Sequence, residues 1–224
     1  MTKQETHLEQ MLVSLRTRLL VMCASTGIAF ENACAALVTR NVGAAAAVMD
    51  GDSIVDALEN EIDDRALTLL ACTQPVARDL RFVISALRMV VDLERIGDEA
   101  YDIAERAIIM QDLPPSPVMG EVTAFMEMAQ HAYTEAVDAF REGDARRARM
   151  VCRNDDEATQ LEVRIIQNIM GHLTENPPRI DPHVAMHIIL VVRSASRVWR
   201  RAANIAEHAY FTVEGVSLKH RRLE

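Results

Sequence analysis

The chain has 224 residues, 50% of them hydrophobic and 4% aromatic, and carries a formal net charge of −9. This length supports a full hydrophobic core in one or two domains, and the low content of glycine (8) and proline (7) favours an all-α protein. The acidic balance argues against nucleic-acid binding as the main task of the protein.

Apolar periodicity predicts three helices in the first half of the chain. Their predicted bounds are about 7–40, 44–72 and 75–112. Gly43 suits the break between the first two helices, because glycine is a poor residue for a helix interior and a good one for a helix end. Pro75 suits the first turn of the third helix, where its missing N–H would be unpaired in any case. The proline cluster at 114–117 cannot continue that helix and predicts a linker.

The second half repeats this organisation. Three further helices are predicted over about 119–141, 144–173 and 182–213, with Asp181 as the N-cap of the last one. Residues 33–52 shifted by 103 fall on 136–155, and residues 100–105 shifted by 102 fall on 202–207 with similar sequences. We therefore expect two tandem three-helix bundles related by an approximate twofold axis. The predicted division is 1–112 for the first bundle, 113–118 for the linker, 119–216 for the second bundle and 217–224 for a basic tail.

Acidic residues on the third helix are the main functional signal. A +4, +3 spacing selects one seam of that helix: Leu80, Ile84, Leu87, Val91, Glu94, Asp98, Tyr101, Glu105 and Ile108. The seam is apolar at both ends, so we expect it to face the core. Carboxylates near a core are costly unless they are paired or bound to a metal.

A matching pair of carboxylates lies on the second helix. Asp52 and Asp56 are four residues apart there, as Glu94 and Asp98 are on the third helix, so each pair shares one helix face. If the two faces meet, four carboxylates gather into a candidate metal site, with Glu59, Asp102 and Glu105 nearby. Hard cations prefer such oxygen ligands. The alternative is an ordinary acidic surface with ion pairs between neighbouring turns.

The second bundle carries a degenerate copy of this site. The positions that correspond to the four carboxylates are Asp155, Thr159, Ser196 and Arg200. Only Asp155 is still a carboxylate, so a second metal site is not expected. We hypothesise that an arginine supplies the positive charge there, pairing with Asp155, Glu162 or Glu207.

Cysteine usage and hydropathy indicate the compartment. The 4 cysteines have no close-spaced pair, which predicts free thiols in a reducing environment. The first six residues are polar and lack a signal-peptide core. Uninterrupted apolar runs such as 44–49 are far shorter than the roughly 18 residues of a membrane span. We expect a cytoplasmic protein without direct membrane insertion.

Other candidate sites are weaker. His183 and His187 lie four apart, but no acidic residue at a suitable spacing accompanies them, so we interpret them as ordinary histidines. Arg78, Asp79 and Arg81 at the start of the third helix either have a local role at that helix end or contact a partner. No phosphate-binding glycine loop or nucleophile triad is visible, and we expect no enzymatic activity.

The motifs of the third helix resemble the PhoU family of phosphate-signalling regulators. The resemblance rests on residues 74–81 (QPVARDLR), 93–98 (LERIGD), 102–105 (DIAE) and 204–207 (NIAE). It implies two three-helix bundles in a cytoplasmic homodimer that restrains the phosphate-starvation response. It also implies an adaptor role between the phosphate ABC transporter, through its ATPase subunit, and a sensor histidine kinase.

The resemblance further implies metal binding, because some members bind metal clusters through paired acidic motifs on each repeat. Carried over, one site per chain falls on Asp52, Asp56, Glu94 and Asp98, with iron, zinc, manganese or magnesium as candidate ions. Two alternatives stay open. One is a helical scaffold without metal, and the other is a carboxylate-bridged metalloprotein of other function. A bundle oxidase normally needs Glu-x-x-His motifs, and the chain has none.

Overall fold

The computed structural model of the chain describes residues 3–218, without the side chains of residues 3–5 and Asp155. The basic residues predicted for the tail, 219–224, therefore lie outside the described part. Every regular element within residues 3–218 is an α-helix, which confirms the all-α class. The helices are α1 (Lys3–Thr39), α2 (Val42–Cys72), α3 (Ala77–Ile109), α4 (Met119–Glu142), α5 (Ala145–Arg153), α6 (Asp155–Thr174) and α7 (Pro182–Glu214).

The helices form two tandem three-helix bundles, as the repeat predicts. Helices α1, α2 and α3 pack together in the first bundle, and α4, the α5–α6 pair and α7 pack together in the second. The bundles meet where α3 packs on α7 and α1 packs on α4. Buried apolar residues of both bundles form one continuous core, so the two halves are not separated by solvent.

Matching turns connect the first two helices of each bundle. After α1, Arg40 adopts a left-handed conformation (φ 54°), and the Asn41 side chain accepts a hydrogen bond from the Ala44 N–H at 3.0 Å. After α4, Gly143 takes the left-handed position (φ 68°), and Asp144 caps α5. The prediction that Gly43 lies in the break between the first two helices is wrong, since Arg40 and Asn41 form the turn and Gly43 lies in the first turn of α2.

The buried face of α3 is displaced from the predicted seam. Leu80 and Val91 are 40% and 53% exposed, and Glu94 and Asp98 lie at the border of the core. The buried positions follow the same heptad spacing in another register: Phe82, Ser85, Met89, Asp92, Ile96, Glu99 and Ile103. The physical reason is that α3 packs against α7 as well as α1 and α2, which turns a different face inward.

Two other sequence predictions also need correction. The helix expected over 144–173 is divided at Asn154, whose N–H donates to the Val151 carbonyl at 3.2 Å in a tighter turn. Pro75 lies before α3, which begins at Ala77 after the extended residue Val76. Pro75 is therefore part of the turn between α2 and α3 rather than a first-turn proline.

A close contact joins α1 of the first bundle to α4 of the second. The Tyr133 hydroxyl donates a hydrogen bond to the Cys23 carbonyl at 2.6 Å and lies 2.6 Å from the Thr26 hydroxyl. Gly27 allows this approach, because a Cβ at that position would lie 2.9 Å from Tyr133 Cε1. Burial raises the pKa of the Cys23 thiol to about 12, so this cysteine is a packing residue at neutral pH.

By length and composition alone, the part of α1 from Thr6 to Thr39 would be able to cross a membrane. Core helices of other proteins meet the same criterion. In this fold Leu15, Leu19 and Met22 of α1 are fully buried inside the first bundle.

Candidate metal centre on the first bundle

The structure places the predicted carboxylates on adjoining faces of α2 and α3. Asp52 and Asp56 belong to α2, and Glu94 and Asp98 belong to α3. Asp52, Glu94 and Asp98 are partly buried, whereas Asp56 is exposed. The group lies at the edge of the core, where water still reaches it, and not in the interior that the seam predicted.

Electrostatic coupling shows that the two faces meet. Burial raises the pKa of Asp52, and so do the nearby charges of Asp56 and Asp98. Burial and the charge of Asp98 raise the pKa of Glu94, with smaller contributions from Glu59 and Asp56. The like charges that face Asp52 and Glu94 thus disfavour ionisation of these two side chains.

Glu59 of α2 belongs to the same acidic group. Its pKa is raised by burial, then by the charges of Asp63 and Asp56, and more weakly by Asp98. One cation, Arg95, partly offsets this repulsion, because its guanidinium lies 3.3 Å from Glu94 and 3.2 Å from Asp98. We call Asp52, Asp56, Glu59, Glu94 and Asp98 the acidic face.

A glycine brings the two helices together beside the acidic face. A Cβ on Gly97 would lie 3.3 Å from Val55 Cγ1 and 3.7 Å from Asp52 Oδ1. Without a side chain at this position, α2 and α3 approach closely at the level of Asp52. The second bundle has Trp199 at the position that corresponds to Gly97, so this approach is particular to the first bundle.

The chemistry of the acidic face suits a cation, although its side chains are not arranged as a finished ligand set. The raised pKa values of Asp52, Glu59 and Glu94 reflect burial and repulsion between carboxylates, which the pairs with Arg95 offset only in part. A hard cation would favour the ionised form of such carboxylates. Among the residues that the structure describes, no three His, Cys, Asp or Glu side chains are grouped closely enough to hold a metal ion. Metal binding would therefore require rotamer changes at this partly exposed surface.

Of the two remaining carboxylates predicted near the site, Asp102 lines one pocket with Asp52 and Asp98, whereas Glu105 does not. Asp102 is 3.8 Å from Arg197 of α7, and its pKa is raised by burial and by the charge of Glu99. Glu105 pairs with Arg106 at 2.5 Å. Both belong to the surface where α3 meets α7.

The degenerate copy in the second bundle is internally paired. Arg200 Nη2 lies 3.4 Å from Glu162 Oε2, and the Ser196 hydroxyl donates to the same oxygen at 2.5 Å. Thr159 is exposed, and the side chain of Asp155 lies outside the described residues. The structure thus pairs an arginine with Glu162, one of the three partners that the sequence suggested.

Sequence reasoning missed the most deeply buried carboxylates of α3. Asp92 Oδ1 accepts hydrogen bonds from Arg201 Nη1 at 3.2 Å and from Asn204 Nδ2 at 3.0 Å, and His208 lies 3.6 Å from the other oxygen. Glu99 accepts two hydrogen bonds from Arg197, each of 2.5 Å. One feature of the sequence could have revealed them: Asp92 and Glu99 are seven residues apart, and each follows an apolar residue, Met89 or Ile96, by three positions. This spacing places all four residues on one face of the helix.

These pairs join the two bundles. Asp92 and Glu99 belong to α3, and all of their cationic partners belong to α7. The carboxylates hold Arg197 protonated and raise its pKa, chiefly through its hydrogen bonds with Glu99. At the interface, arginines of α7 therefore neutralise the buried carboxylates of α3. At the acidic face, repulsion between the carboxylates remains.

The other candidates take separate positions. Arg78 is exposed, the Asp79 N–H donates to the Val76 carbonyl at 3.1 Å, and Arg81 lies against the end of α7 beside Gly215. His183 is exposed. His187 is buried, and its pKa is lowered by burial, by Arg106 and by His183.

Comparison with known proteins identifies relatives along most of the chain. The sequence model of the PhoU domain matches twice, over residues 19–107 and 122–209. A protein of Aquifex aeolicus named phosphate-specific transport system accessory protein PhoU homolog is 32% identical over 196 residues, 88% of each chain. A protein of the same name from Pseudomonas aeruginosa is 33% identical over 210 residues, which cover 93% of this chain and 86% of that protein.

Solved structures agree with these sequence matches. The crystal structure of PhoU from Pseudomonas aeruginosa has a TM-score of 0.85 at 32% identity and covers 93% of this chain and 99% of that chain. The phosphate transport system regulatory protein PhoU from Streptococcus pneumoniae has a TM-score of 0.86 at 21% identity, covering 95% and 99%, a likeness that concerns the fold. The resemblance found in the sequence is confirmed.

Proposed function

This chain belongs to the PhoU family, and from that premise we propose that it regulates phosphate uptake and restrains the phosphate-starvation response. It acts as a non-enzymatic cytoplasmic adaptor between the ATPase subunit of the phosphate transporter and a sensor histidine kinase. The observation that carries the proposal is the double match of the PhoU domain, one match in each bundle. Relatives at 32% and 33% identity bear the name of a phosphate-specific transport accessory protein.

The acidic face of the first bundle is the regulatory site in this proposal. Asp52, Asp56, Glu94 and Asp98 hold one divalent or trivalent ion, such as iron, zinc, manganese or magnesium, and Glu59 adds charge nearby. A bound cation neutralises carboxylates that now repel one another, and it thereby fixes α2 against α3. The chain's own contribution is to gather the oxygens on two helices and to bring those helices close at Gly97.

The second bundle binds no metal in this proposal. Arg200 and Ser196 already satisfy Glu162, so the positive charge comes from the protein itself. We therefore expect one metal site per chain, in the first bundle, rather than two. The intact protein is a homodimer, in line with what the family resemblance implies.

Metal content per chain tests the site directly. The untagged protein is compared with a Glu94→Ala, Asp98→Ala double variant and with the matched Ser196→Ala, Arg200→Ala double variant in the second bundle. We expect about one ion per chain in the wild type and in the second-bundle variant, and loss of that ion in the first-bundle variant. Metal that persists in the first-bundle variant would move the site elsewhere, and a metal-free wild type would favour the scaffold reading.

The adaptor role has its own experiment. The transporter ATPase subunit and the cytoplasmic part of the sensor kinase are each immobilised, and binding of the purified chain is measured at high and low phosphate. We expect binding to at least one of them, with an affinity that depends on phosphate. If neither partner binds under either condition, the adaptor proposal fails even when the metal result is positive.

A further inference from the structure

An open groove lies between α4 and the α5–α6 pair of the second bundle. We call it the second-bundle groove, and its volume is about 490 Å³. Met128 and Met150 line it and are 37% and 66% exposed, while Val151 and Trp199 form buried parts of its wall. Its size is in the range of natural ligand sites, and its lining is mainly apolar.

The first bundle has a groove at the matching place, with a different lining. The groove between α1 and α2 has a volume of about 440 Å³. Where the second-bundle groove has Met128, Met150, Glu157 and Trp199, the first has the residues Ser25, Ala47, Ile54 and Gly97. The second groove has therefore acquired two thioethers, an indole and an acidic residue where the first has small or aliphatic groups.

The indole of Trp199 forms a buried part of the groove wall. Trp199 is only 3% exposed, and within the described part of the chain its Nε1–H has no hydrogen-bond acceptor. Buried indole N–H groups usually find an acceptor, because a buried donor without one is costly. The nitrogen is out of reach of solvent, so the indole offers an occupant of the groove apolar wall and not a hydrogen bond.

Charge at the rim indicates what kind of occupant fits. Glu127 of α4 and Glu157 of α6 line opposite sides, are exposed, and make no ion pair with any described residue. Glu135, also at the rim, is 3.5 Å from Arg147 and is already paired. Two unpaired carboxylates that flank an apolar floor are complementary to a cationic amphipathic segment.

We infer that the second-bundle groove docks a basic amphipathic helix of a partner protein. Apolar side chains of that helix pack on Met128 and Met150, whose flexible thioethers adapt to different shapes. Its lysines or arginines meet Glu127 and Glu157 at the rim. The site involves neither the acidic face nor its metal, so it stands independently of the metal proposal.

Trp199 provides the readout, since it is the single tryptophan of the chain. The probe is a synthetic tryptophan-free helix of about 18 leucines and lysines, long enough to become helical on binding. We expect saturable change in Trp199 emission when this peptide is titrated into the full chain. No change at high peptide concentration would overturn the inference.

A charge-matched pair of variants separates docking from general attraction to an acidic protein. Glu157→Lys reverses a rim charge, and Asp64→Lys makes the same net change at an exposed site on α2. We expect the first to weaken binding roughly tenfold and the second by less than about twofold. Equal weakening by both variants would overturn the inference, and thermal melts confirm that each variant is folded.

Three further arms test the occupant. A peptide with glutamates in place of lysines should not bind, and equal binding would overturn the charge argument. Trp199→Phe, followed with a labelled peptide, should weaken binding by about fivefold because the groove loses part of its apolar wall, and unchanged affinity would remove the indole from the site. A peptide of residues 216–224 that binds more tightly than the probe would assign the groove to the chain's own tail and overturn the partner assignment.

Discussion

Between α2 and α3 of the first bundle, five carboxylates lie close to one another, and Arg95 pairs with two of them, Glu94 and Asp98. At the matching place in the second bundle, Glu162 is satisfied by Ser196 and Arg200. The repeat aligns Glu59 with Glu162, Glu94 with Ser196 and Asp98 with Arg200. The two bundles therefore differ in how their acidic side chains are neutralised. In the first bundle, repulsion between carboxylates remains and an added cation can relieve it. In the second bundle, an arginine of the chain itself pairs with the carboxylate.

The interface between the bundles gives a third solution to the same problem. There the acids of α3 are buried and the cations come from the other bundle, as in the contact of Asp92 with Arg201. Burying an acid is tolerable only with a partner of this kind, because the charge has lost its water. The exposed and half-exposed acids of the acidic face keep some water and need no such partner to fold.

Removing Asp92 should have the largest effect. Asp92→Ala leaves Arg201, Asn204 and His208 without their common acceptor, and we expect a loss of about 3 kcal/mol in the free energy of unfolding. The repeat places Ser194 at the matching position of α7, so Ser194→Ala is the control, with an expected loss below about 1 kcal/mol. Denaturant unfolding measures both, and similar losses would show that the interface pairing is not distinctive.

The contact between α1 and α4 should come next. Gly27→Ala drives a methyl group into the ring of Tyr133, at 2.9 Å from Cε1, and we expect destabilisation by about 2 kcal/mol. Gly51→Ala is the matched control, because a Cβ there has no neighbour within 4 Å. That variant should stabilise the protein by about 0.5–1 kcal/mol, since alanine is the better helix former. A neutral Gly27→Ala would show that the bundles separate easily.

The paired glutamates should then respond with opposite signs. Glu162→Gln weakens the contacts with Arg200 and Ser196, and we expect it to lower the free energy of unfolding by about 1 kcal/mol. The loss is this small because the half-exposed arginine is screened by water. Glu59→Gln removes one of several repelling charges, so in metal-free protein at neutral pH it should stabilise by about 0.5 kcal/mol. Thermal melts in chelator measure both, and two effects of the same sign would contradict the difference between the bundles.

His187 should give the smallest effect, and one that depends on pH. The repeat aligns it with the buried Ser85 of α3, and its pKa in the folded protein is below the ordinary value of 6.5. The unfolded chain binds the proton first, so stability is complete above pH 6.5 and falls as the pH drops towards the lowered pKa. The loss should stay below about 1 kcal/mol.

The measurement for His187 is a difference between two proteins. Wild type and His187→Gln are unfolded with urea between pH 7.5 and 5, and only the wild type should show this histidine's share of the loss. The comparison cancels the carboxylates with raised pKa values, which are stabilised by protonation and act in the opposite direction. Identical pH profiles would show that His187 titrates normally.

Helix content and the repeat followed from the sequence because they depend on local chemistry. Apolar periodicity predicted the helices, and Asp181 caps α7 with hydrogen bonds from the N–H groups of His183 and Val184. The end of α3 was not predicted, since that helix ends at Ile109, before the proline cluster at 114–117. The gathering of acids on α2 and α3 was also predictable, since a spacing of four places two side chains on one face. The double motif then indicated the family, which the comparisons confirm.

The tertiary structure alone decided which face of α3 is buried. Two heptad registers on that helix both contain apolar residues and acids, and one residue of rotation separates positions by about 100° around the axis. Packing of α3 against α7 selected the register with Asp92 and Glu99, because α7 offers Arg201 and Arg197 at those levels. The sequence of α3 alone cannot determine which register is buried, because the arginines that neutralise its buried acids are more than 90 residues away along the chain.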